Sequence, residues 1–105
     1  MNKFQVFIEY KIKKECIQVY ESKMFACKKT LETLSICDFQ WYVASDQPYL
    51  YVEMFTVPSF EQYEKIKKLR SDEEHEVFGR ILQDIDGGTK KFHCWCFERK
   101  LLEEE

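Results

Sequence analysis

Glycine and proline are scarce in this sequence, and its cysteines follow no recognisable pairing pattern. Three Gly and two Pro occur among 105 residues, a composition that leaves no room for a disordered arm or a low-complexity linker. The cysteines are odd in number and form no CxxC motif, so a disulfide framework and a zinc site are both disfavoured. They are Cys16, Cys27, Cys37, Cys94 and Cys96.

A basic stripe and a long apolar run are also missing. The formal net charge is -3, and the lysine doublets lie near acidic or apolar residues, so no nucleic-acid partner is expected. No apolar run approaches the ~20 residues that span a bilayer, and no signal-peptide pattern precedes the first predicted strand. We therefore expect a cytoplasmic protein with reduced thiols, and no membrane partner, metal or cofactor.

The sequence does contain enough apolar material for one folded domain. Hydrophobic residues make up 45% of the chain and aromatic residues 16%. A chain of this length buries roughly 65% of its unfolded surface, which supports a cooperative core without disulfides. We expect a single domain over residues 1–100 and an acidic C-terminal tail over residues 101–105.

Apolar alternation with period two predicts four strands, over residues 3–12, 36–44, 49–57 and 90–99. The turn from Ser45 to Pro48 joins the second strand to the third as a hairpin, because Ser and Asp bond their own backbone and Pro fixes one dihedral angle.

Apolar spacing of three and four residues predicts the helices. Residues 13–34 form one long amphipathic helix by this pattern. Ser59 followed by Gln62 predicts a capping box at the start of a helix over residues 60–69.

The same device, Ser71 followed by Glu74, predicts a second helical piece over residues 72–85. Gly87-Gly88 ends that piece. The predicted order is β-α-β-β-α-β, and right-handed crossovers then give a four-stranded antiparallel sheet of strand order 4-1-3-2 with both helices on one face. This is the ferredoxin-like α+β fold.

The second face of this sheet is predicted to be aromatic. We expect the helices to cover Phe4, Val6, Ile8, Leu50, Val52, Met54, Cys94 and Cys96. The opposite face then carries Phe7, Glu9, Tyr49, Tyr51, Glu53, Phe55, His93, Trp95 and Phe97. Such a patch is larger than a monomer ordinarily leaves in water, so we expect a homodimer that covers it.

Two segments carry a resemblance to known proteins. VEMFTVPSFEQYEKIKKL (Val52 to Leu69) resembles a third strand running into a second helix, and FGRILQDIDGGTKKFHCW (Phe78 to Trp95) resembles that helix ending in a Gly-Gly turn before the last strand. With the element order, they make the chain resemble the dimeric α+β barrel superfamily. Its branches include the antibiotic-biosynthesis-type monooxygenases, the haem-degrading monooxygenases, the stress-responsive barrel proteins and the NIPSNAP proteins. The resemblance implies two sheets packed face to face across a two-fold axis as a dimeric barrel.

Two acidic residues and one histidine are candidates for chemistry on the second face. If Glu9 and Glu53 lie close together, repulsion and burial raise the pKa of one of them, as in a general acid or base; alternatively each is solvated or paired with a base of the partner. His93 is a candidate base or ligand, and the alternative is a structural histidine. The predicted ligand-binding residues are Phe7, Glu9, Tyr51, Glu53, Phe55, His93 and Trp95, with Glu53 and His93 as catalytic candidates.

Metal and haem chemistry fit the sequence less well. His93 points away from Cys94 and Cys96 in a strand, so these residues do not form one metal site. The haem-degrading branch uses an Asn, a Trp and a helical His; His75 lies in a predicted helix, but the first strand has no Asn and the second helix region has no Trp. This departure argues against haem cleavage.

The sequence is compatible with three functions. The first is a homodimer that binds a small apolar or aromatic molecule between its sheets. The second is an enzyme resembling the cofactor-independent monooxygenases, so whether the protein is an enzyme stays undecided. The third is a purely structural dimer with a filled barrel.

Overall fold

The computed structural model describes residues 4–103. Four strands and three α-helices follow one another in the predicted order, with 3-10 turns at Lys14–Cys16 and Gly88–Lys91. The elements are β1 (Phe4–Lys11), α1 (Ile17–Glu32), β2 (Cys37–Val43), β3 (Leu50–Val57), α2 (Phe60–Arg70), α3 (Phe78–Leu82) and β4 (His93–Glu98).

The strands form one antiparallel sheet of order β2-β3-β1-β4. Read from the other edge this is 4-1-3-2, so the predicted ferredoxin-like topology is confirmed. The longest pairing joins β1 to β3 over eight residue pairs, from Phe4 opposite Val57 to Lys11 opposite Leu50. The two central strands therefore hold the middle of the core, and β2 and β4 lie at the edges.

The first helix and the start of the second follow the predicted pattern. Tyr20, Met24, Cys27 and Leu31 form the buried stripe of α1, at spacings of four and three residues. Ser59 caps α2, since its hydroxyl accepts a hydrogen bond from the backbone N–H of Gln62 at 3.1 Å.

The predicted capping box at Ser59 is formed only in part. The side chain of Gln62 does not reach back to the cap; it donates to the carbonyl of Leu34 at 2.6 Å. This bond instead ties the start of α2 to the loop that follows α1.

The second predicted helical piece is wrong over its first half. Ser71 ends α2, where its backbone N–H donates to the carbonyl of Lys67 and the next N–H, that of Asp72, donates to the carbonyl of Leu69. The Asp72 side chain accepts a hydrogen bond from the N–H of Glu74. A short Asp side chain that bonds its own backbone favours a turn over a helix. The chain is therefore helical again only at Phe78.

The Gly-Gly turn before β4 is present, but it does not end the second helical piece as predicted, because α3 stops at Leu82. Gly87 and Gly88 have φ angles of 90° and 69°, in the left-handed region that glycine adopts at little cost. A Cβ atom at Gly87 would also clash with the side chain of Lys91. Both this clash and the positive φ angle therefore favour glycine at this position.

Candidate functional site

The register of the sheet decides which side chains share a face. Ile8 of β1 lies beside Glu53 of β3 on one side and Cys94 of β4 on the other. All three are buried, so this row faces the helices. Glu9 and its neighbour His93 lie on the opposite face, which no helix of the described chain covers.

We name these two surfaces the helix face and the open face. The helix face carries Val6, Ile8, Tyr10, Trp41, Tyr51, Glu53, Phe55, Val57, Cys94 and Cys96. The open face carries Gln5, Phe7, Glu9, Lys11, Gln40, Tyr42, Leu50, Val52, Met54, Thr56, His93, Trp95 and Phe97.

The predicted face of β3 is wrong. Tyr51, Glu53 and Phe55 are buried on the helix face, and the aliphatic row of β3, Leu50, Val52 and Met54, is half-buried on the open face. The prediction rests on the assumption that aliphatic side chains pack against helices. Aromatic side chains bury more apolar area than aliphatic ones, and Glu53 finds a cationic partner on α2, so the aromatic and acidic row is the buried one.

The predictions for β1 and β4 place their residues correctly. The open face brings together Phe7, Glu9, His93 and Trp95, four of the predicted ligand-binding residues. Glu9 and Glu53 lie on opposite faces, so the predicted repulsion between two neighbouring carboxylates has no basis in this fold.

An aromatic cluster covers the β1–β4 half of the open face. Phe7 stacks on Trp95 with ring centroids 5.9 Å apart and meets Phe97 edge-on at 6.3 Å. His93 extends the stack, since its ring lies 5.5 Å from that of Trp95 at an angle of 3°. Trp95 is 43% exposed and Phe97 is 53% exposed, so the chain itself leaves much of this cluster uncovered.

Ionisable groups lie at one end of this cluster. A groove of about 340 Å³ passes between β1, β3 and the Gly-Gly turn, and Glu9, Lys11, Lys91 and His93 are among the residues that line it. Both signs of charge are present, which suits the orientation of a polar substituent beside an apolar surface.

The helix face holds a buried ion pair. The terminal nitrogens Nη1 and Nη2 of Arg70 each donate to a different carboxylate oxygen of Glu53 at 2.7 Å. Glu53 is 0% exposed and Arg70 is 1% exposed. The guanidinium also lies 5.1 Å from the ring centre of Phe78 and 5.5 Å from that of Phe92, so two aromatic faces and one carboxylate surround its charge.

Two tyrosines and a tryptophan extend this ion pair toward the surface. The hydroxyl of Tyr10 donates to Oε2 of Glu53 at 2.5 Å and lies 2.6 Å from the hydroxyl of Tyr20. Nε1 of Trp41 donates to the Tyr20 hydroxyl at 2.9 Å. Nε of Arg70 is buried and has no hydrogen-bond partner among the described residues.

Together with neighbouring charges, burial sets the protonation of these groups. It raises the pKa of Tyr10 well above its ordinary value of 10.0, and the charge of Glu53 raises it further. It also raises the pKa of Tyr20. Burial alone would lower the pKa of Arg70, but interactions with Cys27 and Glu53 raise it well above the ordinary value. Both phenols are therefore protonated at neutral pH, and Arg70 is charged.

His75 is not a helical histidine. It lies in the turn before α3, and its Nδ1 accepts hydrogen bonds from the backbone N–H groups of Val77 and Phe78, both at 3.1 Å. Its ring stacks on Phe78 at 4.4 Å. These contacts fix the His75 side chain at the start of α3, whose N-cap residue is Val77. Across residues 4–103, no three His, Cys, Asp or Glu side chains are grouped to hold a metal ion.

Arg70, Tyr10 and Tyr20 were not identified from the sequence. Arg70 does leave a signal: it follows Tyr63 and Ile66 at steps of three and four along the buried stripe of α2. A cation on an apolar stripe is rarely buried without an acidic partner. Applied to Arg70, that rule predicts a buried carboxylate partner. A buried Glu53 places Tyr51, Glu53 and Phe55 on the helix face, which is the correct assignment for β3.

Comparison with solved structures identifies the fold. A conserved protein from Methanosarcina mazei Go1 aligns with a TM-score of 0.73 at 18% identity, over 95% of each chain. A NIPSNAP family protein from Agrobacterium tumefaciens str. C58 aligns with a TM-score of 0.65 at 15% identity, over 95% of this chain and 89% of that one. An antibiotic biosynthesis monooxygenase aligns with a TM-score of 0.63 at 14% identity, over 95% of this chain and 99% of that one.

This chain shares its fold with these three solved structures. The predicted resemblance is thus confirmed for the fold, and at these identities the likeness extends to the fold alone. No protein-family model and no curated protein matches the sequence. Among residues 4–103, no helix has both the length and the apolar character needed to cross a membrane.

Proposed function

We propose that the protein is a homodimer that binds a small apolar or aromatic molecule between the open faces of its two sheets. The observation that carries this proposal is the stacked cluster of Phe7, Trp95 and His93 on a sheet face without helices. Exposed aromatic surface of this kind marks a protein or ligand interface.

A second copy is the occupant that best suits the open face. Its centre is apolar, with Phe7, Val52 and Met54 in adjacent positions of the central strands, and its charged groups lie toward one end. An apolar centre with a charged edge is the usual anatomy of a protein interface. Two such faces in contact form a chamber whose walls are aromatic.

The chamber favours ligands with a flat ring and one polar substituent. Trp95 and Phe7 offer ring faces for stacking, and His93, Glu9 and Lys11 lie at the end where a polar group would be placed. A purely structural dimer is the alternative, in which partner side chains fill this space and no ligand volume remains.

A monooxygenase-like enzyme is a second candidate function. The solved structures with this fold include an antibiotic biosynthesis monooxygenase, and His93 stacks within the aromatic cluster at a position where a base can meet a bound ring. Glu53 cannot act as a base on a bound ring, because its carboxylate lies in the core and accepts hydrogen bonds from Arg70 and Tyr10. If the protein is such an enzyme, it should take up oxygen in the presence of phenolic substrates, and His93→Ala should abolish this uptake.

We also propose a reducing compartment such as the cytoplasm. All five cysteines are free, including the buried Cys27 and Cys94, and burial raises the pKa of the Cys27 thiol to about 12. Free thiols throughout the chain are typical of proteins kept under reducing conditions.

Native mass spectrometry of Trp95→Ser, with bound small molecules retained, tests the proposal. Loss of an indole from the centre of an interface costs at least about 2 kcal/mol, or roughly 30-fold in the dimer Kd. We expect a weakened dimer and loss of the co-purified molecule. Phe25→Ser is the matched control, because Phe25 is 71% exposed on α1 and distant from the open face.

The outcomes separate ligand binding from the purely structural dimer. A ligand that leaves with Trp95→Ser supports the chamber. A dimer that never carries a small molecule supports the structural alternative. An unchanged dimer and ligand in Trp95→Ser would contradict the proposal.

A further inference from the structure

A chain of hydrogen bonds runs from the surface into the core on the helix face. It begins at Trp41, which is 37% exposed at the edge of the sheet. It passes through the hydroxyls of Tyr20 and Tyr10 and ends at the carboxylate of Glu53, with steps of 2.9, 2.6 and 2.5 Å. We name these four residues the buried relay.

The chemistry of the end groups gives the relay one direction. An indole N–H can only donate, so the oxygen of Tyr20 accepts from Trp41, and a carboxylate can only accept, so the O–H of Tyr10 is directed at Glu53. The remaining O–H, that of Tyr20, is then left to donate to Tyr10. Every proton in the relay therefore points toward Glu53.

The aromatic rings of the relay are also close to one another. The ring of Tyr20 lies 5.9 Å from that of Trp41 and 5.7 Å from that of Tyr10. Tyr51 adds a second connection, 4.7 Å from Tyr20 and 5.9 Å from Trp41. Rings at these separations permit electron transfer in short steps between the surface and Tyr10.

The phenol of Tyr10 is shielded from solvent, because the residue is only 1% exposed. The species that can reach it are electrons, through the rings, and protons, along the hydrogen bonds. A phenol loses an electron most readily when its proton moves to a base in the same event. Tyr10 has such a base, the Oε2 atom of Glu53, at 2.5 Å.

We propose that Tyr10 undergoes reversible one-electron oxidation coupled to transfer of its phenol proton to Glu53. The electron passes through Tyr20 and Trp41 to an outer-sphere one-electron oxidant in solution, such as an oxidised metal complex or an organic radical. The O–H bond of Tyr10 breaks and an O–H bond forms on Glu53. The products are the reduced oxidant, a neutral phenoxyl radical at Tyr10 and a neutral carboxyl at Glu53.

Arg70 makes this step reversible. Once Glu53 is neutral, the guanidinium keeps its charge between the rings of Phe78 and Phe92 but loses its anionic partner. An unpaired buried cation is unfavourable, so return of an electron to Tyr10 is accompanied by return of the proton. The relay lies on the helix face and does not depend on the proposed chamber.

Flash photolysis with tris(bipyridine)ruthenium and a sacrificial quencher tests this inference on the intact protein. The photogenerated ruthenium(III) complex is too large to enter the core, so it takes electrons from exposed groups. We expect a long-lived neutral tyrosyl radical by electron paramagnetic resonance in the wild type. Tyr10→Phe should abolish it, and Trp41→Phe should slow its formation several-fold.

Tyr42→Phe is the matched control, because Tyr42 is 51% exposed and donates its hydroxyl proton to Gln40 outside the relay. Its radical signal should match the wild type. Deuterated solvent should slow radical formation in the wild type, since the proton moves with the electron. A long-lived tyrosyl radical that persists in Tyr10→Phe, or one whose formation is unchanged in Trp41→Phe, would overturn the inference.

Discussion

The two faces of the sheet handle polar and aromatic groups in opposite ways. On the helix face, Glu53 and Arg70 are fully buried, and the guanidinium donates two hydrogen bonds to the carboxylate. On the open face, Glu9 and His93 are half-buried among aromatic rings that remain partly in water. The difference shows that a carboxylate in a central strand is shielded from solvent where the same chain supplies its partner, and stays open to solvent and to a bound molecule where it does not.

Removal of Arg70 should produce the largest effect. Arg70→Met leaves the carboxylate of Glu53 buried without its cation, a change that costs about 3–5 kcal/mol in the free energy of unfolding. Urea denaturation measures this loss. The double variant Glu53→Leu/Arg70→Met should be more stable than Arg70→Met alone, because no unpaired charge remains. If the double variant lost the sum of both single effects, the pair would not be coupled as described.

The buried phenols should make stability fall in alkali. The pKa values of Tyr10 and Tyr20 are raised in the folded protein, so above pH ~10 the unfolded chain loses these protons while the folded chain keeps them. Below pH ~10 their contribution is constant; above it, stability declines by about 1.4 kcal/mol per pH unit for each such tyrosine.

Denaturation of the wild type and Tyr10→Phe at a series of pH values from 8 upward measures this dependence. The variant should show a shallower alkaline decline. Equal slopes would mean that Tyr10 does not keep its proton in the folded state.

Glu9→Gln should produce the smallest effect and completes the comparison between the faces. Glu9 and Glu53 lie in adjacent central strands, but Glu9 has solvent access on the open face. Its neutralisation should change the free energy of unfolding by no more than about 0.5 kcal/mol. Glu53→Gln serves as the reference, and a comparable loss in both variants would remove the distinction between the faces.

The element order was predictable because period-two and helical patterns are strong along most of this chain. The faces of β1 and β4 followed from their alternation, with Phe7 and Trp95 on one side and Ile8 and Cys94 on the other. The same rule failed for β3 because both of its faces are apolar, so alternation alone does not say which one is inside. The ion pair with Arg70 decides which face of β3 is buried, and Arg70 lies 17 residues from Glu53 in the sequence.

The prediction of a second helical piece over residues 72–85 failed for a different reason. Ser71 is equally suited to start a helix or to end one, and local sequence does not distinguish these positions. Here α2 ends at Ser71, and Asp72 turns the chain. The His75 side chain then accepts hydrogen bonds from the backbone at the start of α3, and only the turn geometry reveals this role.

The mass of the wild-type protein in solution tests the central claim that the open face is covered by a second copy. One chain has a mass of 12.8 kDa, and sedimentation equilibrium at micromolar concentration measures the assembled mass directly. We predict twice the mass of one chain. A monomeric mass at that concentration would contradict the account, because the aromatic cluster of Phe7, Trp95 and Phe97 would then remain exposed to water.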